Sequence, residues 1–92
     1  MQRKTAELFI PVEIALNSAI SFGARVFYGH LFSLTDESGE TAMTNAELAS
    51  HLGVSESTVK RWLRELREVE YIKVMNILSL KKTSKRVIIL TP

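Results

Sequence analysis

The sequence predicts a small α+β fold, three to four helices followed by a two-stranded β-hairpin. Three observations carry that prediction. Apolar residues recur at helical spacing through most of residues 12–70. Capping residues head the runs at Ser21, Thr44 and Ser55, and Gly53 stands between the last two. After residue 70 the apolar period drops from about 3.6 residues to about 2, and β-branched residues take over.

Residues 1–10 read as an N-terminal arm leading to Pro11. A proline suits the first turn of a short helix over 12–17, because its missing N–H would lack a partner there in any case. Ser21 caps a second helix, FGARVFYGHLFSL, in which Ala24, Phe27, Tyr28, Leu31, Phe32 and Leu34 form a broad apolar face. TDESGET, containing Gly39, reads as a polar loop. Thr44, with Glu47 three residues on, has the reciprocal pattern of a capping box. Ala46, Leu48, Ala49 and Leu52 supply the apolar side of the helix that follows, and Gly53 sits where a left-handed terminating residue is wanted. Val54 is an apolar plug. Ser55 caps the next helix, with Glu56 in its first turn beside the positive end of the helix dipole. That helix runs to about Glu70. YIKVMNILSL and RVIIL then straddle KKTSK as the strands of a hairpin over residues 71–91. No Asn-Gly or Asp-Gly is present, which predicts a longer connection than a tight turn.

Composition narrows the function. The 92 residues make one small domain over 1–92, with no repeat, low-complexity run or Pro/Gly-rich linker to divide it. A chain this short has room for a recognition surface but little for a deep, walled active site. Without cysteine there is no disulfide framework, thiolate nucleophile or cysteine-based zinc site, so the cytoplasm is the expected compartment. The longest mostly apolar stretch contains Glu13, Arg25 and His30, which argues against a membrane span. Charge is unevenly distributed: residues 1–40 hold three Lys/Arg against five acidic residues, and residues 41–92 hold nine against five. A basic C-terminal half fits a polyanionic partner, and equally a merely solvated surface.

Residues 44–70 resolve that ambiguity. They place two helices at a corner marked by Gly53, a helix-turn-helix arrangement. On a helical wheel of about 100° per residue, Val59, Leu63 and Leu66 form one inward stripe, with Trp62 at its edge. Ser57, Lys60, Arg61 and Arg64 lie on the other side. That division suits docking in the DNA major groove, where a helix offers its N-terminal residues to base edges and its cations to bases and phosphates. Arg61 and Arg64 are candidates for bidentate contacts, and Thr44, Ser55, Ser57 and Thr58 for hydroxyl contacts to phosphates or bases. A lone basic helix would be explained as well by a solvated face paired with Glu65 and Glu68. The capped partner helix and glycine turn favour DNA. Lys81, Lys82, Lys85 and Arg86 then form a candidate phosphate clamp in the hairpin loop, the alternative being charges that protect a strand edge.

The stretch AELASHLGVSESTVKRWLRELREVEYIKV closely resembles the winged helix-turn-helix pattern LAxxLGVSxxTVxRxLxxLxxxGxIxV. FIPVEIA and SFGARVFYGHLFSLT extend the resemblance to the amino-terminal domains of plasmid and phage replication initiators and DnaD-like primosome proteins, over residues 9–90. It implies a winged helix-turn-helix domain that binds double-stranded DNA at a replication origin; a bacterial transcription regulator shares much of the pattern. It also allows a homodimer formed through the N-terminal segment. One departure is Glu70, where the pattern has glycine, which implies a different cap at the turn into the wing.

Other residues carry less. His30 and His51 lack companions for a metal site, and no phosphate-cradling glycine loop or Ser/His/Asp set occurs. His30 is expected to be partly buried and His51 to lie on the surface. Trp62 is expected to pack against the hairpin, and Glu65, Glu68 and Glu70 to form a solvated face. The expectation is a DNA-binding module with no catalytic residue, cofactor or metal. A protein-docking winged helix is the reading from another class.

Overall fold

Capping chemistry sets the helix boundaries. In the computed structural model, which describes residues 8–78 and 84–91, Pro11 opens a single-turn helix, α1 (Val12–Ala15), shorter than the expected 12–17. Ser21 accepts a hydrogen bond from the Ala24 N–H at 3.2 Å and starts α2 (Phe22–Leu34). Thr44 starts α3 (Asn45–Leu52) with both halves of the capping box formed. The Glu47 N–H donates to Thr44 Oγ1 at 3.1 Å, and the Thr44 N–H to Glu47 Oε1 at 2.9 Å. These bonds from Thr44 hold the Glu47 carboxyl below its ordinary pKa. Gly53 ends α3 in the left-handed region at φ 69°. Two residues later Ser55 Oγ accepts from the Thr58 N–H at 3.1 Å and starts α4 (Glu56–Glu68).

The end of α4 differs from expectation. The helix stops at Glu68 rather than Glu70, with Val69 as its cap, and Glu70 itself takes φ 62°. The Glu70 N–H donates to the Arg67 carbonyl at 3.0 Å and the Tyr71 N–H to the Leu66 carbonyl at 2.9 Å. Those two bonds make a Schellman ending. The departure from glycine therefore changes the residue and not the cap. A glutamate occupies a backbone region that costs an L-residue about 1–2 kcal/mol.

β2 (Ile72–Leu78) and β3 (Ser84–Leu90) pair antiparallel from Ile72↔Leu90 to Leu78↔Ser84. The segment read as a polar loop also contributes a strand, β1 (Glu40–Thr41), lying opposite Ile89 and Ile88. The sheet order is β1-β3-β2. Asp36 Oδ1 accepts from the N–H groups of Ser38 and Glu40 at 2.9 and 3.1 Å, which closes the turn ahead of β1. The Gly39 carbonyl then accepts from the Leu90 N–H at 2.9 Å. Two residues are too few for an alternation to show in sequence, so the pairing with β3 defines this strand.

The core lies where α2, α3, α4 and the base of the sheet meet. Phe27, Leu31, Leu48, Val59, Leu66 and Ile88 are fully buried within it. The stripe Val59, Leu63 and Leu66 faces inward as the wheel requires. Ala46 and Phe32, expected on apolar faces, are exposed, and Phe32 instead stacks at 5.0 Å on Phe9 of the arm. Trp62 packs on α2 and not on the hairpin: its ring lies 5.4 Å from that of Phe27, and a Cβ at Gly23 would come within 2.7 Å of the indole. Glu65 also leaves the solvated face assigned to it. Its carboxylate accepts from the Ser21 N–H at 2.7 Å and from the Ser21 hydroxyl at 2.8 Å, capping α2 from α4. No helix among the described residues is long and apolar enough to cross a membrane.

Two substitutions test this packing by urea denaturation. Leu66→Ala should lower stability by about 2–5 kcal/mol, because it empties a fully buried site. Glu70→Gly should raise it by about 0.5–1 kcal/mol, relief of left-handed strain being partly offset by the freedom glycine gains in the unfolded chain. No gain at Glu70 would mean that its backbone is unstrained.

Candidate nucleic-acid interface

With Val59, Leu63 and Leu66 turned inward, Ser57, Lys60, Arg61, Arg64 and Arg67 of α4 are left exposed. The N-terminal hydroxyls divide by geometry. Ser55 and Thr58 are engaged with each other, Oγ to Oγ1 at 2.9 Å, in addition to the Ser55 cap. Ser57 takes no part in that contact and is exposed. Thr44 is exposed too, but its hydroxyl caps α3. Thus, of the four hydroxyl candidates, Ser57 is the one whose hydroxyl makes no hydrogen bond among the described residues.

The cations separate into two groups. Arg61 and Arg64 border a shallow depression shared with Ser21, Trp62, Glu65 and Glu68, a surface of mixed charge. Arg64 also borders a second depression of about 260 Å³, between α4 and the hairpin, lined by Asn45, Lys60, Leu63, Arg64, Arg67, Val74 and Arg86. That lining holds four cations and no carboxylate. Arg67 was not singled out in sequence, although Lys60, Arg64 and Arg67 follow the i, i+4, i+7 spacing that places three residues on one helical stripe.

The hairpin cations are not one cluster at a loop tip. Lys85 and Arg86 lie within β3, opposite Ile77 and Asn76. Neighbouring strand residues face opposite sides, so Arg86 turns to α4 and Lys85 to the outer face. Arg86 is half-buried, and its guanidinium donates to Asn45 Oδ1 and, at 2.5 Å, to the Met43 carbonyl. Desolvation by burial lowers its pKa from the usual guanidinium value. It therefore fastens the hairpin to the start of α3. Lys81 and Lys82 lie outside the described residues. His51 is exposed and His30 half-buried, both bordering an apolar groove with Phe22 and Trp62. Among the described residues no group of three or more His, Cys, Asp or Glu side chains is placed to hold a metal ion.

The helix-turn-helix domain family matches residues 19–72, more than half of the chain. The chain belongs to that helix-turn-helix family. The matched segment runs from just before α2 to the first residue of β2, so it contains α3, the Gly53 corner and α4 but little of the hairpin. No curated protein and no solved structure matches the chain. Helix-turn-helix domains are typically DNA-binding, non-enzymatic modules, and membership points to DNA binding.

The Arg86 anchor can be tested apart from any ligand. Arg86→Met keeps the stem but removes both donors, so the Met43 carbonyl and Asn45 side chain lose their partner. Stability should fall by about 1–2 kcal/mol, with faster amide exchange at the start of α3. Wild-type exchange there would show that the guanidinium does not join the two elements.

Proposed function

We propose that this protein binds double-stranded DNA in a sequence-specific way, with α4 in the major groove and the hairpin acting as a wing. The observation that carries the reading is the division of α4. One side is consumed by the core, and the other presents Ser57, Lys60, Arg61 and Arg64 to solvent. Ser57, Arg61 and Arg64 read base edges. Thr44, Ser55, Thr58, Lys60, Lys81, Lys82, Lys85 and Arg86 supply the surrounding backbone contacts, Arg86 while also anchoring the hairpin. The finer setting is origin recognition in plasmid or phage replication initiation, supported by the resemblance that extends upstream through residues 9–35. Transcription regulation in the cytoplasm is the alternative within DNA binding.

Selection from a pool of random duplexes tests the reading directly. Repeated direct sites favour an initiator; one inverted site favours a regulator. On the selected duplex, Arg61→Ala should cost about 1–3 kcal/mol of binding and flatten the sequence preference. Circular dichroism should not change, since Arg61 is exposed and outside the inward stripe. Full affinity and full preference in this variant would remove α4 as the reader. Failure to recover any duplex, with an affinity indifferent to salt, would favour the docking-module alternative.

The reading includes a second copy of the chain, paired through the N-terminal segment. Phe9, Val12 and Leu16 are 58%, 70% and 75% exposed, apolar surface that a partner of the same chemistry would bury. Two copies would also present two recognition helices to neighbouring half-sites. Sedimentation velocity should show a dimer that Phe9→Ser and Leu16→Ser shift toward monomer. A wild-type monomer, both free and on DNA, would remove this part of the proposal.

A further inference from the structure

The depression between α4 and the hairpin has a composition that internal structure does not require. Lys60, Arg64 and Arg67 stand on one stripe of α4 at spacings where like charges repel. Arg86 joins them from β3, and its hydrogen bonds among the described residues go to two neutral oxygens, the Met43 carbonyl and Asn45 Oδ1. Its charge is partly desolvated, and these two bonds do not neutralise it. Glu70 borders Arg67 in the adjoining depression but not in this one. On α4, Glu65 is occupied by Ser21, Glu68 borders Arg64 on the mixed-charge side, and Glu56, one turn before Lys60, is not part of this lining. Four positive charges thus converge on one concave surface whose lining holds no carboxylate.

We infer that this groove seats a phosphate of the DNA backbone between recognition helix and wing, with Arg67 as a ligand beside Lys60, Arg64 and Arg86. The inference rests on the DNA-binding reading and deepens it. It divides the basic side of α4 into two working surfaces. Arg61 lies on the mixed-charge side, with Ser57 exposed about one turn before it, and there hydrogen bonds to base edges can discriminate sequence. Lys60 and Arg67 lie toward the hairpin, where an anion relieves their mutual repulsion. Arg64 borders both. The guanidinium of Arg67 offers a flat, forked donor set that matches two oxygens of one phosphate. Because Arg86 also holds Met43 and Asn45, a phosphate in the groove would touch the same side chain that fixes the hairpin against α3. Grip on the backbone and placement of the wing then share one residue.

The test compares wild type with Arg67→Gln and Arg67→Lys by fluorescence anisotropy. Two labelled duplexes serve as probes, one of mixed sequence and one selected for tight binding, each titrated over a series of sodium chloride concentrations. Arg67→Gln should weaken both duplexes about equally, roughly 3- to 10-fold at moderate salt. The slope of log affinity against log salt should become shallower by about 0.9, the value for one phosphate. Arg67→Lys should keep the wild-type slope, because it keeps the charge. Since Arg67 is exposed, melting of the variants should match wild type; if Arg67→Gln melts lower, the same titrations with Lys60→Gln, the exposed cation beside it in the groove, decide the matter. Loss confined to the selected duplex would make Arg67 a base reader and overturn the seat. An unchanged slope and affinity, with wild type binding both duplexes, overturns the seat and leaves the DNA reading standing. Wild type that binds neither duplex overturns both. Inorganic phosphate at matched ionic strength is the remaining arm. If it binds wild type but not Arg67→Gln and leaves bound duplex in place, the groove is a free-anion site and the backbone assignment fails.

Discussion

Burial of the stripe Val59, Leu63 and Leu66 is the constraint on which the rest of the structure hangs. α4 is the one helix that α2, α3 and the base of the sheet all meet. Once those three side chains are committed to the core, the rotation of α4 about its axis is fixed, because turning it would expose apolar area worth several kcal/mol. Everything polar on α4 is then assigned a direction. Ser57 and Arg61 go outward, Lys60 and Arg67 go toward the hairpin, and Trp62 and Glu65 go toward α2. The candidate DNA-facing surface is a by-product of the packing surface, set at 3.6-residue geometry by the same backbone.

Three polar contacts finish what that burial begins. Glu65 reaches from α4 to the N–H and hydroxyl of Ser21, so the start of α2 is satisfied by a carboxylate from another helix. Arg86 reaches from β3 to Met43 and Asn45, so the hairpin is held at the start of α3. Asn17 donates to the Tyr71 hydroxyl at 2.8 Å, joining the end of α1 to the start of the hairpin. Each is a directional bond between elements far apart in sequence. Apolar burial decides that the elements meet, and these bonds decide at what angle. For the proposed fit to the grooves of a duplex, the angle between α4 and the hairpin matters as much as the residues on either.

Much of the fold was legible because its causes are local. The boundaries of α2, the capping box at Thr44, the left-handed Gly53 and the cap at Ser55 all follow from hydrogen bonds between residues no more than a few positions apart. The inward stripe of α4 was legible too, since helical period alone sorts its faces. The strand Glu40–Thr41 was not, because two residues carry no period and a turn through Asp36 and Gly39 reads as loop until β3 is brought beside it. Trp62 was placed on the right edge of α4 but against the wrong neighbour. The wheel gives a direction and not what stands there, and it is Gly23, by having no side chain, that lets the indole settle on α2.

The sequence by itself determined the helix-turn-helix and the identity of its basic face, since capping and periodicity are properties of short segments. It also marked position 70 as the turn into the hairpin; tertiary structure showed a glutamate there holding the left-handed conformation in which glycine would be unstrained. What only the tertiary structure decided is how the cations are shared out. Lys85 and Arg86 are adjacent in sequence and look alike in composition. Strand alternation sends one to the outer face and the other into the groove beside α4, where burial and the oxygens of Met43 and Asn45 hold it. Arg67, unremarkable on the helix alone, becomes part of a concave cationic surface once β3 lies alongside. Charge in a sequence is a count, and a field at a surface depends on distances that exist only after the chain has folded.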